Sequence, residues 1–244
     1  MHLDVVRLRD FYHTPLGLVC ARLIGRKLRS LWPDVKGMNV LGLGYATPYL
    51  GPFAYDRSAA RVLCLMAASQ GVHVWSPVCG ARRGNLAGIT EENALPLPDE
   101  SIDRILLVHI LETSDRPRSL LREVWRVLAP GGRIIAVAPN RTGCWAFFER
   151  TPFGHGRPYT RAQFEASLRE HMFAPVAHAT SLFAPPLKGR VGVRAVMAFE
   201  DLGARWWPRI GGVHIVEAEK RVYASDSRPP VRVVKPLPMP TSGW

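Results

Sequence analysis

Lysine is scarce in this chain, 5 residues against 27 arginines, and acids are few, so the formal charge is +12 over 244 residues. No block of five or six like charges occurs, and the arginines are spread along the chain. That distribution speaks for a general basic composition rather than a dedicated nucleic-acid surface, so a specific nucleic-acid partner is not expected. Long apolar runs are missing too. The longest clear one, Ile105 to Leu111, is interrupted by His109 and falls far short of the roughly 20 residues a bilayer-crossing helix needs. The first residues show no uninterrupted apolar stretch ending in small residues, so no secretory signal is read and a cytoplasmic location is expected. Cys20, Cys64, Cys79 and Cys144 form no C-x-x-C pair, which points to neither a zinc site nor a disulfide framework. No metal is expected, and no internal repeat is visible.

The chain is rich in core-forming residues: 47% are hydrophobic and 9% aromatic, which excludes a disordered or collagen-like chain for its bulk. From Thr14, a capping residue followed by Pro15, apolar residues recur at spacings of three and four through Leu31 and predict a helix that ends at Trp32-Pro33. A buried strand running into a tight, glycine-containing loop is predicted over Asn39–Pro48, and strands over Arg61–Met66, Ile102–Leu111 (running into a helix start) and Gly132–Ala138. A helical face, Leu120, Leu121, Val124, Trp125 and Leu128, lies between the last two. Thr160-Arg161-Ala162-Gln163 has the form of a capping box and predicts a helix to about His171. Weaker signals suggest a strand at Val176–Phe183, a helix at Val191–Trp206 and a strand at Val213–Tyr223, with the Trp206-Trp207 pair packing at the helix end. Strands alternating with helices imply an α/β architecture, a doubly wound, mostly parallel sheet covered on both faces. The expected organisation is an N-terminal helical segment over 1–36, an α/β domain over 37–224, and a proline-rich, disordered tail over 225–244.

Three stretches carry a family likeness. Leu95-Pro96-Leu97-Pro98-Asp99-Glu100-Ser101-Ile102-Asp103 is followed by His109-Ile110-Leu111-Glu112, and then by Leu121-Arg122-Glu123-Val124-Trp125-Arg126-Val127-Leu128-Ala129-Pro130-Gly131-Gly132. In order, spacing and residue type the chain resembles the class I S-adenosylmethionine-dependent methyltransferases, within them the type 11 methyltransferase domain. The likeness runs from about Val40 to Asn140 and more loosely to His171. It implies a Rossmann-like methyltransferase fold with S-adenosylmethionine as cofactor, bound outside the carboxyl ends of the strands. Carried over by position, the cofactor rim comprises Gly42, Leu43, Gly44, Tyr45, Ala46, Met66, Glu91, Glu92, Val108 and His109.

The departures from the family pattern are specific. The first motif's acidic residue and three glycines correspond here to Gly42, Gly44, Ala46 and Pro48, so the acid and two glycines are gone. Met66 stands where the family places a ribose-binding carboxylate, and a thioether is a weak acceptor. Gly71, Pro77, Gly80, Gly84 and Gly88 break up the segment where the family has a helix. Glu91 is read either as an acceptor for the adenine amino group or as a solvated loop carboxylate. His109 is read as a satisfied buried imidazole or a pocket-lining group, with an acid-base role as the lesser alternative. His155, between Gly154 and Gly156, is a candidate functional imidazole or a turn stabiliser. Trp145, Phe148 and Tyr159 are the candidates for walling an acceptor.

These readings lead to an enzyme that moves a methyl group from S-adenosylmethionine to a small or lipid-like acceptor. A binding or scaffolding protein on a catalytically lapsed methyltransferase fold is the second reading, and an RNA methyltransferase a weaker third. The oligomeric state is not legible.

Overall fold

The computed structural model describes residues 3–55, 59–77, 84–186, 199–200, 202–207, 209–221 and 232–233. The chain opens with two helices, α1 (Val5–His13) and α2 (Pro15–Leu31). Asp4 caps the first by accepting from Val6 N, and Thr14 caps the second by accepting from Gly17 N. The two helices meet so closely that a Cβ on Gly17 would lie 2.0 Å from the Phe11 carbonyl oxygen, so the bend requires glycine there. There follow β1 (Asn39–Gly44), α3 (Thr47–Tyr55), β2 (Arg61–Ala67), β3 (Ala87–Thr90), β4 (Ile102–Val108), α4 (Pro117–Val127) and β5 (Leu128–Pro139). After two short 3-10 turns come α5 (Arg161–Glu170), β6 (Phe173–Ser181), β7 (Val213–Lys220) and β8 (Arg232–Val233).

The eight strands form one sheet in the order β3-β2-β1-β4-β5-β7-β6-β8. All pairs are parallel except those made by β7, which runs antiparallel to β5 and β6. This is the doubly wound, mostly parallel sheet expected of a Rossmann-like methyltransferase fold. The strands of a sheet buried on both faces are apolar throughout, with successive side chains going to opposite layers. Val40, Cys64, Met66, Leu106, Val108 and Ile135 thus join the layer of α1, α2 and α3. Leu41, Leu43, Leu65, Ile105, Leu107 and Ile134 join that of α4 and α5.

Helix α2 begins at the expected proline, and α5 carries the expected capping box, Thr160 with Gln163. Helix α3 and strand β3 lie where no element was expected, and α1 falls within the expected N-terminal helical segment, ahead of the helix placed from Thr14. Of the expected helix over Val191–Trp206, residues 191–198 fall outside the described residues, while 199–200 and 202–206 are helical. The described residues between β2 and β3 contain no helix, in keeping with their glycines and proline. Of the tail, only Arg232 and Val233 are described, and they extend the sheet beside β6. Among the described residues, no helix is long and apolar enough to cross a membrane, no cluster of metal-ligating side chains occurs, and the described cysteines are free.

Candidate functional site

The site is built at the carboxyl ends of β1, β2, β3 and β4. The connection after β3 is held open by a clasp from the most family-like motif. Arg126 on α4 donates to the carbonyls of Leu95 and Leu97 at 2.9 Å each, and pairs with Asp99 at 2.5 Å and Glu123 at 2.8 Å. Glu123 in turn accepts from Leu95 N. The Arg126 hydrogen bonds hold the Glu123 carboxyl below the usual carboxylate range. The clasp fixes the far end of the loop whose near end is Glu91, Glu92 and Asn93. Beside these residues is a cavity of about 350 Å³ lined by Ala68, Ser69, Glu91, Glu92, Asn93, Asp115 and Arg116. Ser114 donates its hydroxyl to Glu92 and accepts from Arg116 N, which ties the start of α4 to the same wall.

The other half of the rim, over β1 and β4, is closed by α1. Gly44 has φ +76°, and a Cβ there would lie 2.3 Å from the Val108 carbonyl oxygen. Only glycine lets β1 turn against β4 at this point. The Val108 carbonyl then accepts from Tyr45 N at 2.9 Å. The Tyr45 ring stacks on Tyr12 of α1, with centroids 5.6 Å apart, and burial pushes its phenol up to about 12. Tyr12 bonds Tyr49 of α3 and Nε2 of His109, at 2.8 Å in each case. His109 Nδ1 lies 3.1 Å from Glu112 Oε1. One assignment satisfies every pair: Tyr49 O–H donates to Tyr12, Tyr12 O–H to His109 Nε2, and His109 Nδ1–H to the Glu112 carboxylate. Burial raises the pKa of both phenols, Tyr12 and Tyr49, which keeps them as donors. His109 itself has φ +53°, a left-handed backbone rare for a residue with a side chain, of the kind that collects at functional sites.

Backbone contacts lock this chain of groups from two sides. Gln70, in the turn after β2, donates its side-chain amide to the His109 carbonyl and to Thr113 Oγ1, while its backbone carbonyl accepts from Val5 N at the start of α1. From the other side, Arg157 N donates to the Glu112 carbonyl at 2.7 Å, and Gly156 packs so tightly there that a Cβ would lie 2.3 Å from that oxygen.

Several residues expected at the cofactor rim are core residues here. A Cβ on Gly42 would strike Leu50 at 2.6 Å and Ala46 at 2.7 Å, so α3 fills the space an acidic side chain would need. Ala46, Met66, Leu43 and Val108 are buried in the two core layers. Met66 does not line the cavity beyond β2; Ala68 and Ser69 do. Glu91 and Glu92 do line it, His109 lies in the polar chain under α1, and Tyr45 stacks on that chain's Tyr12. Trp145 is fully buried, with its Nε1 donating to Ala184 O, so it supports the core instead of walling an acceptor. Phe148 is partly exposed, and Tyr159 reaches the Leu111 carbonyl from behind. His155 is half-buried and bonds the Glu149 carbonyl at 2.6 Å, which is the turn-stabilising role. Sequence reasoning missed Tyr12, Gln70 and Glu112. The spacing of Val5, Leu8 and Tyr12, the buried residues of α1, was the available signal for the first.

The residues present suit S-adenosylmethionine in their donor and acceptor chemistry. The cavity offers Glu91, Glu92 and Asn93 as partners for an adenosine. Of the six buried side-chain polar atoms without a partner among the described residues, Gln70 Oε1, Glu112 Oε2 and His73 Nε2 lie around His109 and Tyr45. A buried acceptor without a donor costs about 1–3 kcal/mol, and the cofactor's ammonium would supply donors to Gln70 and Glu112.

Comparison with known proteins bears on the fold. Residues 42–136 match the family model described as a methyltransferase domain. No curated protein sequence matches the chain significantly. Among solved structures, a S-adenosylmethionine-dependent methyltransferase of Thermotoga maritima, described as a possible histamine N-methyltransferase, superposes with a TM-score of 0.62. It is 16% identical, and the match covers 89% of this chain and 96% of that one. A S-adenosylmethionine-dependent methyltransferase of Mesorhizobium loti gives 0.55 at 16% identity, over 80% and 96%. The [4+2]-cyclase SpnF gives 0.56 at 17% identity, over 83% and 81%. Residues 42–136 thus resemble a methyltransferase domain, and the fold is that of the S-adenosylmethionine-dependent methyltransferases. S-adenosylmethionine is the cofactor this domain implies. Likeness at such identities speaks for the fold, and the cyclase among the neighbours is a reminder that fold does not fix the reaction.

Proposed function

We propose that the protein methylates a small or lipid-like acceptor with S-adenosylmethionine, and that His109 is the base that takes the acceptor's proton. The observation that carries this reading is the buried chain Tyr12–His109–Glu112 at the end of β4, beside the turn that follows β1. When bound, the cofactor supplies a methyl group on a sulfonium, which makes in-line displacement a matter of position. Glu112 holds the imidazole through Nδ1, leaving Nε2 to accept a proton. Tyr12 occupies that nitrogen while α1 lies over the site, so α1 acts as the closed lid and withdraws its hydroxyl when the acceptor enters. The mouth of the cavity carries Glu91, Glu92 and Asp115 against Arg116, a sign that disfavours a polynucleotide acceptor, whose phosphates need cations.

A second reading is supported by a specific observation. Stacked Tyr12 and Tyr45, together with the Gln70 amide bound to the His109 carbonyl, lie over the β1 turn as they would in a binding protein whose cofactor rim had closed for good. Transfer of labelled methyl from S-adenosylmethionine to a lipid extract and to small amine and phenol acceptors separates the two. Under the enzyme reading, a labelled product forms, and His109→Gln and Glu112→Gln lower its rate by about a hundredfold or more, the usual share of a general base. Product formation unaffected by His109→Gln removes the base from the account. No product from any acceptor, with no cofactor binding, favours the closed-rim reading.

A further inference from the structure

The segment over 199–210 is amphipathic the wrong way round for a helix packed on a protein core. Among its described residues the inward ones are Glu200 and Gly203. Glu200 is buried, accepting from Ser181 Oγ and from the backbone N–H groups of Leu182 and Phe183. Gly203 sits against Phe183, where a Cβ would lie 2.3 Å from its side chain. The large apolar residues point outward: Phe199, Leu202 and Trp207 are each more than half exposed, Trp206 is 67% exposed, and Ile210 follows at 46%. Phe199, Leu202 and Trp206 recur at spacings of three and four, which places them on one helical face.

A second exposed aromatic lies on an adjoining segment. Phe147, at the end of the 3-10 turn Cys144–Phe147, is 76% exposed. Its loop is stitched to the 209–212 connection: Asn140 Nδ2 donates to the carbonyls of Arg209 and Gly211, Thr142 Oγ1 also donates to Arg209 O, and Gly212 packs on Trp145. Single exposed apolar residues are ordinary, but a concentration of this kind marks a docking surface.

The charge of the segment chooses the occupant. Its described residues carry the exposed cations Arg205 and Arg209, while the carboxylate Glu200 is turned inward. Exposed tryptophan beside exposed arginine suits the boundary between acyl chains and anionic headgroups, where an aromatic ring has one side apolar and one side wet. We propose that the surface formed by Phe147, Phe199, Leu202, Trp206, Trp207 and Ile210 seats the protein on an anionic lipid bilayer without crossing it. This docking stands independently of the methyl-transfer reading, and it would give the site access to an acceptor dissolved in the membrane.

The test is co-flotation of the full chain with vesicles, of phosphatidylcholine alone or mixed with phosphatidylglycerol, while tryptophan emission is followed. The wild type is expected to float with the anionic vesicles, with a blue-shifted emission, and to be released progressively by salt. Trp206→Ala combined with Trp207→Ala should lower vesicle partitioning by about a hundredfold, and Phe199→Ser should weaken it further. The melting temperature should hold, since these side chains are exposed. Failure of the wild type to bind anionic vesicles overturns the proposal, as does equal binding by the double variant. A wild-type dimer that the double variant dissolves, without vesicle binding, would assign the surface to a second copy of the chain instead. Because flotation reads binding alone, its outcome is separable from that of any methylation assay.

Discussion

The Tyr12 hydroxyl meets Nε2 of His109 across 2.8 Å, joining the first helix of the chain to the end of its fourth strand, 97 residues away. The bond does two opposing things. It stabilises α1 against the body, and it covers the imidazole that the proposed reaction needs.

Tyr12→Phe should therefore separate stability from access. The variant keeps the ring that stacks on Tyr45 but leaves the buried Tyr49 hydroxyl and His109 Nε2 without that partner. A loss of about 1–3 kcal/mol in denaturant unfolding is expected. Cofactor affinity should at the same time rise, because α1 is held down less firmly. Weaker cofactor binding in Tyr12→Phe would show that the hydroxyl belongs to the binding site and not to a lid.

Arg126→Ala tests the clasp on the loop that borders the proposed adenosine cavity. The guanidinium serves two carbonyls and two carboxylates at once, but it is partly exposed, so a stability loss of about 1–2 kcal/mol is expected. The stronger sign should be local: amide hydrogen exchange over 91–101 accelerates while α2 and β4 stay protected. Unchanged exchange in that loop would mean that the loop holds its shape without the clasp.

The motif that carries the clasp was legible because its partners are neighbours on one loop and one helix, and a short pattern of residues encodes it completely. The sheet was legible for a similar reason, since β1, β4 and β5 are nearly unbroken apolar runs. Helix α3 was hidden by Pro48 and Pro52, residues that argue against a helix although the first suits an opening turn. Strand β3 is four residues at the sheet edge, too short to show a period. The chain Tyr49–Tyr12–His109–Glu112 could not be read, because its members come from three distant segments that only the fold brings together. Trp206 and Trp207 were expected to pack and are exposed; apolar identity announces burial somewhere, not in which partner.

A separate pH effect is expected far from the site. His178 on β6 and His214 on β7 face each other with 3.1 Å between ring nitrogens. Burial, then the Arg161 charge, lowers their pKa values to about 3 and about 4. The unfolded chain, with imidazoles near 6.5, binds more protons below that pH than the folded one does. Stability is thus fully present above about 6.5 and falls as the pH drops toward 4, by up to about 1.4 kcal/mol per pH unit for each ring. Glu165 nearby opposes part of the shift at both rings. Urea unfolding across this window should show the slope, and His178→Leu with His214→Leu should flatten it. An equal slope in the double variant would place the acid sensitivity elsewhere.

The central claim is that S-adenosylmethionine binds at the carboxyl ends of β1 to β4, with its adenosine in the cavity beside Ser69 and Glu91. Isothermal calorimetry with S-adenosylmethionine and S-adenosylhomocysteine, on the wild type and on Ser69→Trp, tests it most directly. Ser69 is exposed and lines the cavity, so the indole should fill the space without disturbing the fold. The wild type is predicted to bind both ligands, and at roughly a hundred times Kd to gain about 2.7 kcal/mol of stability. Ser69→Trp is predicted to keep its melting temperature and lose the binding. Absence of heat with either ligand, in the wild type and in Tyr12→Phe alike, would contradict the claim, and equal binding by Ser69→Trp would move the cofactor out of this cavity.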